Sequence, residues 1–325
     1  MVTSTALKAL RIAVSIGNVL APALTARTTF RLFCTPPRSN ALSDRETAMT
    51  RRAEKRLAAA TRMDIPYRDG PHFDADGTDR TRDAAKDQNL RSYVFDPETV
   101  SDATQTVVLV HGWTGRSSYM LSFASPLLSR GYRVVAVDLP AHGDSSARQL
   151  HLPKAVNALS ELHRRTGPWH SIIAHSFGGA VACALVSGLI PVFAKVPLQR
   201  LVLIATPHSM QWIFHGFGRA VGLNRKTQSL FDGLVMPLAG RPLAHFEGAD
   251  MLQEASVPTL LLHAPDDREV PFSGAQAMAA ISGNVTLQPM PGLGHRRILY
   301  APDTIRAATD FVHTGAVRRH SSAAE

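Results

Sequence analysis

Six short apolar runs punctuate the chain: TVVLVHGW at 106–113, RVVAVDLP at 133–140, SIIAHS at 171–176, LQRLVLIATP at 198–207, VPTLLLHAPDD at 257–267 and NVTLQPMPGLGH at 284–295. Their apolar residues are contiguous instead of alternating with polar ones, and most of the runs end in turn-forming residues. Runs of this kind fit strands buried on both faces. RSYVF at 91–95 adds one more short strand. Helical stretches lie between them, at 117–130, 151–166, 176–190, 272–282 and 301–313. Strands alternating with helices predict an α/β fold, a mostly parallel, doubly wound sheet with helices on both faces. Right-handed crossovers then bring the strand C-terminal ends to one edge, where open parallel sheets bind their ligands.

Three segments depart from the alternation. The stretch 208–256 is far too long for one connection, and it contains Trp212, Phe214, Phe217, Phe231, Met236 and Phe246. It is expected to be an inserted helical lid whose aromatics form a small core of their own, line a substrate pocket, or do both. Residues 36–91 are polar, rich in Asp, Gly and Arg, and read as loop and linker. Residues 12–26, IAVSIGNVLAPALTA, follow Lys8 and Arg11 in the manner of a secretory signal. The run is short for a membrane span of about 20 residues and is interrupted by Ser15, Asn18, Pro22 and Thr25. An amphipathic helix that packs on the domain or lies on a surface is the expected form, with a cleaved signal as the alternative. The expected organisation is thus an N-terminal helical and polar extension (1–91), a core (92–207 and 257–313), the lid (208–256) and a flexible tail (314–325).

Composition narrows the class. The 325 residues are 45% hydrophobic, enough for a sizeable core. The formal charge is +9, and residues 1–91 hold sixteen Lys and Arg against ten Asp and Glu, so most of the excess lies in the extension. Arg51, Arg52, Lys55 and Arg56 form the densest cluster; a solvated helix face is the expected reading, with weak contact to a membrane surface through the N-terminal segment as the alternative. Aromatics are sparse there and no nucleic-acid module is present, so no nucleic-acid partner is expected. Cys34 and Cys183, far apart, make no disulfide framework and suit a reducing cytoplasm, with export or membrane-surface association through residues 1–35 as the alternatives. The sequence has no metal-ligand spacing, P-loop or dinucleotide motif, so no cofactor is expected.

The chemistry concentrates where one buried strand meets one buried helix. In AHSFGG (174–179), Ser176 stands at that join with Ala174 two residues before it and Gly178 two after, a G-x-S-x-G turn whose first glycine is alanine. A serine hydroxyl is a weak nucleophile and needs a base, which in turn needs an orienting acid. The chain supplies both at later strand ends: an acid in APDDREVP (264–271), where Asp266 and Asp267 are adjacent, and His295 in GLGH (292–295). Neutral imidazole can take the serine proton and return it to the leaving group.

HGW (111–113), DLPAHGDS (138–145), AHSFGG, APDDREVP and GLGH occur in the order and at spacings that resemble the α/β-hydrolase superfamily, over roughly residues 92–313. The resemblance implies that Ser176 is the nucleophile, His295 the base and Asp267, chosen by the D-x-x-V-P spacing, the acid. It also implies an oxyanion hole from the backbone N–H groups of Phe177 and Trp113. Ala141 and Ala264 stand where the family often has glycine. His111, His175, Asp138 and His142 are expected to be structural. Trp212, Phe214 and Phe217 are candidate pocket residues. The expected activity is cleavage of a carboxylic ester, thioester or lactone through an acyl-enzyme on Ser176, with a small-molecule acyl ester as substrate. C–C bond hydrolysis or perhydrolysis at the same site, and a non-catalytic binding protein, are the alternatives.

Overall fold

The computed structural model describes residues 4–37, 51, 53–68, 87–281 and 283–317. Eight strands form one sheet: β1 (Thr61–Arg68), β2 (Asp87–Phe95), β3 (Thr106–Val110), β4 (Arg133–Val137), β5 (Trp169–His175), β6 (Arg200–Ile204), β7 (Thr259–His263) and β8 (Val285–Pro289). Their order is β1-β2-β4-β3-β5-β6-β7-β8. The pairs β1/β2 and β2/β4 are antiparallel and the others parallel. β3, β5 and β7 are buried at every residue, as the contiguous apolar runs require.

The sheet divides two cores by its pleat. Val108, Val110, Val135, Val137, Ile172, Leu201 and Leu203 face one, and Val107, Leu109, Val134, Ala136, Ile173, Val202 and Ile204 face the other. The long helices are α1 (Ser4–Leu20), α2 (Pro22–Phe33), α3 (Leu152–Thr166), α4 (Phe177–Ser187), α5 (Met210–Val221), α6 (Arg225–Gly233), α7 (Gly248–Ala255), α8 (Phe272–Ile281) and α9 (Pro302–Thr314). Residues of α3, α4 and α7 fill the first core. Residues 117–128 and α9 fill the second.

The segment expected as loop and linker needs correction. Within 36–91, β1 and the first residues of β2 are strands of the main sheet, so the sheet begins well before residue 92. The strand signal in TRMDIPYR is faint for a physical reason. β1 is an edge strand, so only Ile65 and Tyr67 are buried, and Arg62, Asp64 and Arg68 occupy its solvated positions. Pro66 is tolerated because an edge strand has backbone groups with no ladder partner. Residues 38–50 and 69–86 of that segment, Arg52, and most of the expected tail lie outside the described residues. The single helix expected at 12–26 is two helices, broken at Ala21, with Pro22 opening the second. Arg51, Lys55 and Arg56 are exposed, as a solvated face requires.

The connection between β6 and β7 is helical, through α5, α6, a short turn (Met236–Ala239) and α7. α1 and α2 come from the other end of the chain and pack onto these helices, α2 on α6 and α1 on α5.

Candidate active site

Ser176 occupies the turn between β5 and α4 with φ 51° and ψ −125°. A positive φ is uncommon for a residue bearing a Cβ and marks strain held by the surroundings. The Ser176 N–H donates to the Ile204 carbonyl at 2.9 Å, which ties the turn to the adjacent strand. The turn also depends on the absence of a side chain at position 178. A Cβ on Gly178 would stand 2.3 Å from the His111 carbonyl oxygen, so glycine alone lets α4 lie against the end of β3.

His295 and Asp267 arrive from the ends of β8 and β7. Ser176 Oγ lies 3.1 Å from His295 Nε2, and His295 Nδ1 lies 2.8 Å from Asp267 Oδ2. The two ring nitrogens therefore face different partners, with Nδ1–H donating to the carboxylate and Nε2 free to accept from the serine. The Asp267 side chain is fully buried. Its Oδ1 accepts from the N–H groups of Glu269 and Val270 at 2.8 and 2.9 Å. Burial acts to raise the Asp267 pKa, but hydrogen bonds from His263, His295 and Val270 outweigh it and hold the carboxyl below the usual range. The neighbouring Asp266 has a different task, accepting from the Gly292 N–H at 2.7 Å. Of the adjacent acids, Asp267 alone touches the imidazole.

The expected structural histidines each brace a loop. His111 Nε2 accepts from the Leu139 N–H and its Nδ1–H donates to the Gly112 carbonyl. His142 Nε2 accepts from the Thr114 N–H and its Nδ1–H donates to the Pro140 carbonyl. Asp138 accepts from the N–H groups of Ser117 and Asp144. Together these bonds lock the loop that carries Trp113 to the loop after β4. His175 reaches forward, its Nε2 2.9 Å from the His295 carbonyl oxygen. Burial, reinforced by the neighbouring His295, pushes the His175 pKa down to about 3, so it is neutral near pH 7.

Phe177 opens α4, where a backbone N–H has no carbonyl one turn back to accept it. Its ring packs edge-on to that of Trp113, with centroids 5.8 Å apart. The two residues are thus neighbours beside Ser176.

Ser176 and His295 open into a cavity of about 760 Å³. The expected Trp212, Phe214 and Phe217 all line it, and Phe231, fully buried, forms part of the core behind them. Phe214 and Phe217 thus pack with that core and line the cavity at once. Sequence reading did not foresee that α1 and α2 supply one wall of the cavity, through Leu7, Leu10, Phe30 and Phe33. Phe33 meets Phe214 and Phe217 at 4.8 and 5.0 Å. Their apolar spacing was the only sequence signal, and it says nothing about what the helices pack against. Two further polar neighbours were missed. His263 Nε2 lies 3.4 Å from Asp267 Oδ2. Glu269 lines the cavity, 4.0 Å from His295 Nε2, and pairs with Arg296 at 3.3 Å. Of the cysteines, Cys183 is buried in α4 and Cys34 at the cavity; burial pushes both thiols up to about 12.

A hydroxyl, an imidazole and a buried carboxylate in hydrogen-bonded sequence can transfer a proton from oxygen to nitrogen and back. Comparisons with known proteins agree with that capacity. The sequence model of the alpha/beta hydrolase family matches residues 107–308. A non-heme haloperoxidase of Rhodococcus erythropolis is 26% identical over 252 residues, 62% of this chain and 89% of that protein. The structure of Est1E from Butyrivibrio proteoclasticus, solved with ferulic acid, overlaps with a TM-score of 0.55 at 17% identity, over 69% of this chain and 93% of that one. A bacterial membrane phospholipase A overlaps with a TM-score of 0.53 at 20% identity, over 93% of this chain and 96% of that one. These two likenesses show a shared fold. Because the family model spans more than half of the sequence, the chain belongs to the alpha/beta hydrolase family.

Proposed function

We propose that the protein is a serine hydrolase that cleaves carboxylic esters by acyl transfer. The observation that carries this reading is the continuous hydrogen-bonded line Ser176–His295–Asp267 at the mouth of an apolar cavity. In the first half-reaction His295 Nε2 takes the proton of Ser176 as Oγ attacks the ester carbonyl. Asp267 holds the ring in the required tautomer and stabilises the imidazolium. The backbone N–H groups of Phe177 and Trp113 donate to the developing oxyanion, each worth about 3 kcal/mol in the transition state. His295 then protonates the departing alkoxide, leaving an acyl group on Oγ. In the second half a water gives its proton to His295 as it attacks the acyl carbonyl; the acyl–Oγ bond then breaks, His295 returns the proton to Ser176 Oγ and the acid is released. The cavity, lined with Trp212, Phe214, Phe217, Phe30 and Phe33, favours an apolar acyl group over a polar one.

The haloperoxidase name of the Rhodococcus relative supports a second reading. Hydrogen peroxide, taking the place of water in the second half-reaction, would release a peracid and restore the serine.

The test is intact-mass analysis after incubation with a small fluorophosphonate, followed by peptide mapping. A single adduct on Ser176, lost in His295→Ala, is expected. An adduct elsewhere, or none on folded protein with or without mild detergent, overturns the reading. Ester turnover should fall by about 10³-fold or more in Ser176→Ala. Titrating hydrogen peroxide into the ester assay and trapping peracid separates the two readings of the deacylation step.

A further inference from the structure

Helix α1 has two apolar faces and only one of them is buried. Leu7 and Leu10 line the cavity, and Val14 and Asn18 are buried behind them, with Asn18 Nδ2 donating to the Gly222 carbonyl. The opposite face is a stripe of Lys8, Ile12, Ile16 and Val19, spaced about one turn apart, with Leu20 beside it. Ile12 is 64% exposed, Ile16 55%, and Val19 and Leu20 78% each. α2 continues the pattern on its exposed face with Leu24, 64% exposed, followed by Arg27 and Arg31. A cluster of large aliphatic side chains of this kind in water marks an interaction surface.

Charge identifies the occupant. The first acidic residue of the chain is Asp44, and before it stand Lys8, Arg11, Arg27, Arg31 and Arg38. A second copy of the chain, docked across a two-fold axis, would set these cations against themselves with no carboxylate from the same segment between them. A surface that is aliphatic at its centre and anionic around it satisfies both parts. No described helix is long and apolar enough to cross a membrane, so the helix lies in the plane of the surface. We propose that the outer faces of α1 and α2 dock on an anionic lipid bilayer. Ile12, Ile16, Val19, Leu20 and Leu24 enter the acyl boundary, and Lys8, Arg27 and Arg31 meet lipid phosphates. One consequence rests on the esterase reading: the helices that touch the bilayer also wall the cavity, so docking would set the cavity beside the ester lipids of that bilayer.

Co-sedimentation of the full chain with vesicles tests the docking, once with phosphatidylcholine alone and once with an equal mixture of phosphatidylcholine and phosphatidylglycerol. Binding to the mixed vesicles is expected to be tighter by about tenfold or more and to weaken with added salt. The triple variant Ile12→Asp, Ile16→Asp, Val19→Asp should lose about tenfold or more of it, and Lys8→Glu with Arg27→Glu should lose the preference for the anionic vesicles. Both variants alter exposed side chains, so their thermal midpoints should match that of the parent. The proposal is overturned if the parent ignores the mixed vesicles at low salt, or if the triple variant binds them equally well. It is also overturned if the same triple substitution abolishes a concentration-dependent dimer and no vesicle binding is seen. Running Ser176→Ala beside the parent separates the two proposals. Vesicle binding by both, with no fluorophosphonate adduct, keeps the docking and removes the esterase reading; an adduct without vesicle binding does the reverse.

Discussion

The strand-end edge and the cavity wall are built on opposite principles. At the edge, polar groups within a few residues of a strand terminus are fixed by backbone hydrogen bonds. His111, Asp138, His142 and Asp267 each hold a named N–H or carbonyl. The wall is assembled from α1, α2 and α5, drawn from distant parts of the chain and joined by aromatic contacts such as Phe33 with Phe214. A bond to a backbone group has one acceptable geometry, whereas a cluster of rings can lose a member and settle. On the proposed esterase reading, the edge sets whether chemistry occurs, and the wall sets which acyl groups reach it.

The strongest way to break this contrast is to add one methyl group to the edge. In Gly178→Ala the new Cβ would sit 2.3 Å from the His111 carbonyl oxygen and 2.9 Å from that of Val110, both main-chain atoms of the sheet edge. Neither can move without disturbing β3 or the loop that carries Trp113, so the Ser176 turn must shift instead. Overpacking of this kind costs about 1–3 kcal/mol, and a displacement of about 1 Å at a reacting centre can cost 10²-fold in rate. Ester turnover is expected to fall by about 10²-fold while the protein remains folded by circular dichroism. Retention of more than half the activity would mean that the edge is as forgiving as the wall.

The complementary change removes a ring from the wall. Phe33 touches Phe30, Phe214, Phe217 and Phe231. Phe33→Ala should lower stability by about 3 kcal/mol, near the lower end for such truncations because Phe33 is only partly buried. The effect on catalysis should depend on the substrate. For an octanoyl ester kcat/KM is expected to drop severalfold, up to about tenfold, whereas an acetyl ester too short to reach the ring should be turned over as before. Equal losses on both esters would show that the wall positions the triad and not the acyl chain.

The same contrast decides what the sequence discloses. Ser176 and His295 could be read because each stands just past the end of a strand, and buried strands write contiguous apolar runs; between Asp266 and Asp267 only the resemblance to the family's D-x-x-V-P spacing decided. The eightfold sheet was legible in its interior and illegible at its rim, where Ile65 and Tyr67 alone carry β1 against the solvent. The wall left almost no trace. Nothing in the spacing of Leu7, Leu10, Phe30 and Phe33 states that they face residues some 200 positions away, because a helix's apolar stripe says that it is buried and not against what. Trp212, Phe214 and Phe217 were found only because an over-long connection drew attention to their segment.

The smallest expected effect concerns protons. The edge buries His111, His142 and His175 with their pKa values depressed, chiefly by burial. The unfolded chain protonates such residues near pH 6.5, whereas folded His175 does so only near pH 3. Between those values the unfolded state binds more protons, so stability falls as pH drops. Asp267 acts in the same direction but only at lower pH. Its carboxyl is depressed in the fold, so its contribution is complete above the ordinary carboxylate value near 4 and is lost below it. In the window from pH 6.5 to 4.5 the depressed histidines set the loss, those of the edge together with His163 and His170, while the carboxyl of Asp138, raised by burial, works against it. His175→Gln keeps an N–H that can donate to the His295 carbonyl but cannot take up a proton. In urea melts across that window its stability should fall less steeply than the parent's, by at most about 1.4 kcal/mol per pH unit, the slope of one proton. Phe33→Ala removes no titrating group and should leave the parent slope unchanged, shifted only in height. If His175→Gln and the parent lose stability in parallel, His175 is not a source of the acid sensitivity, and the other depressed histidines carry it, His111 and His142 of the edge among them.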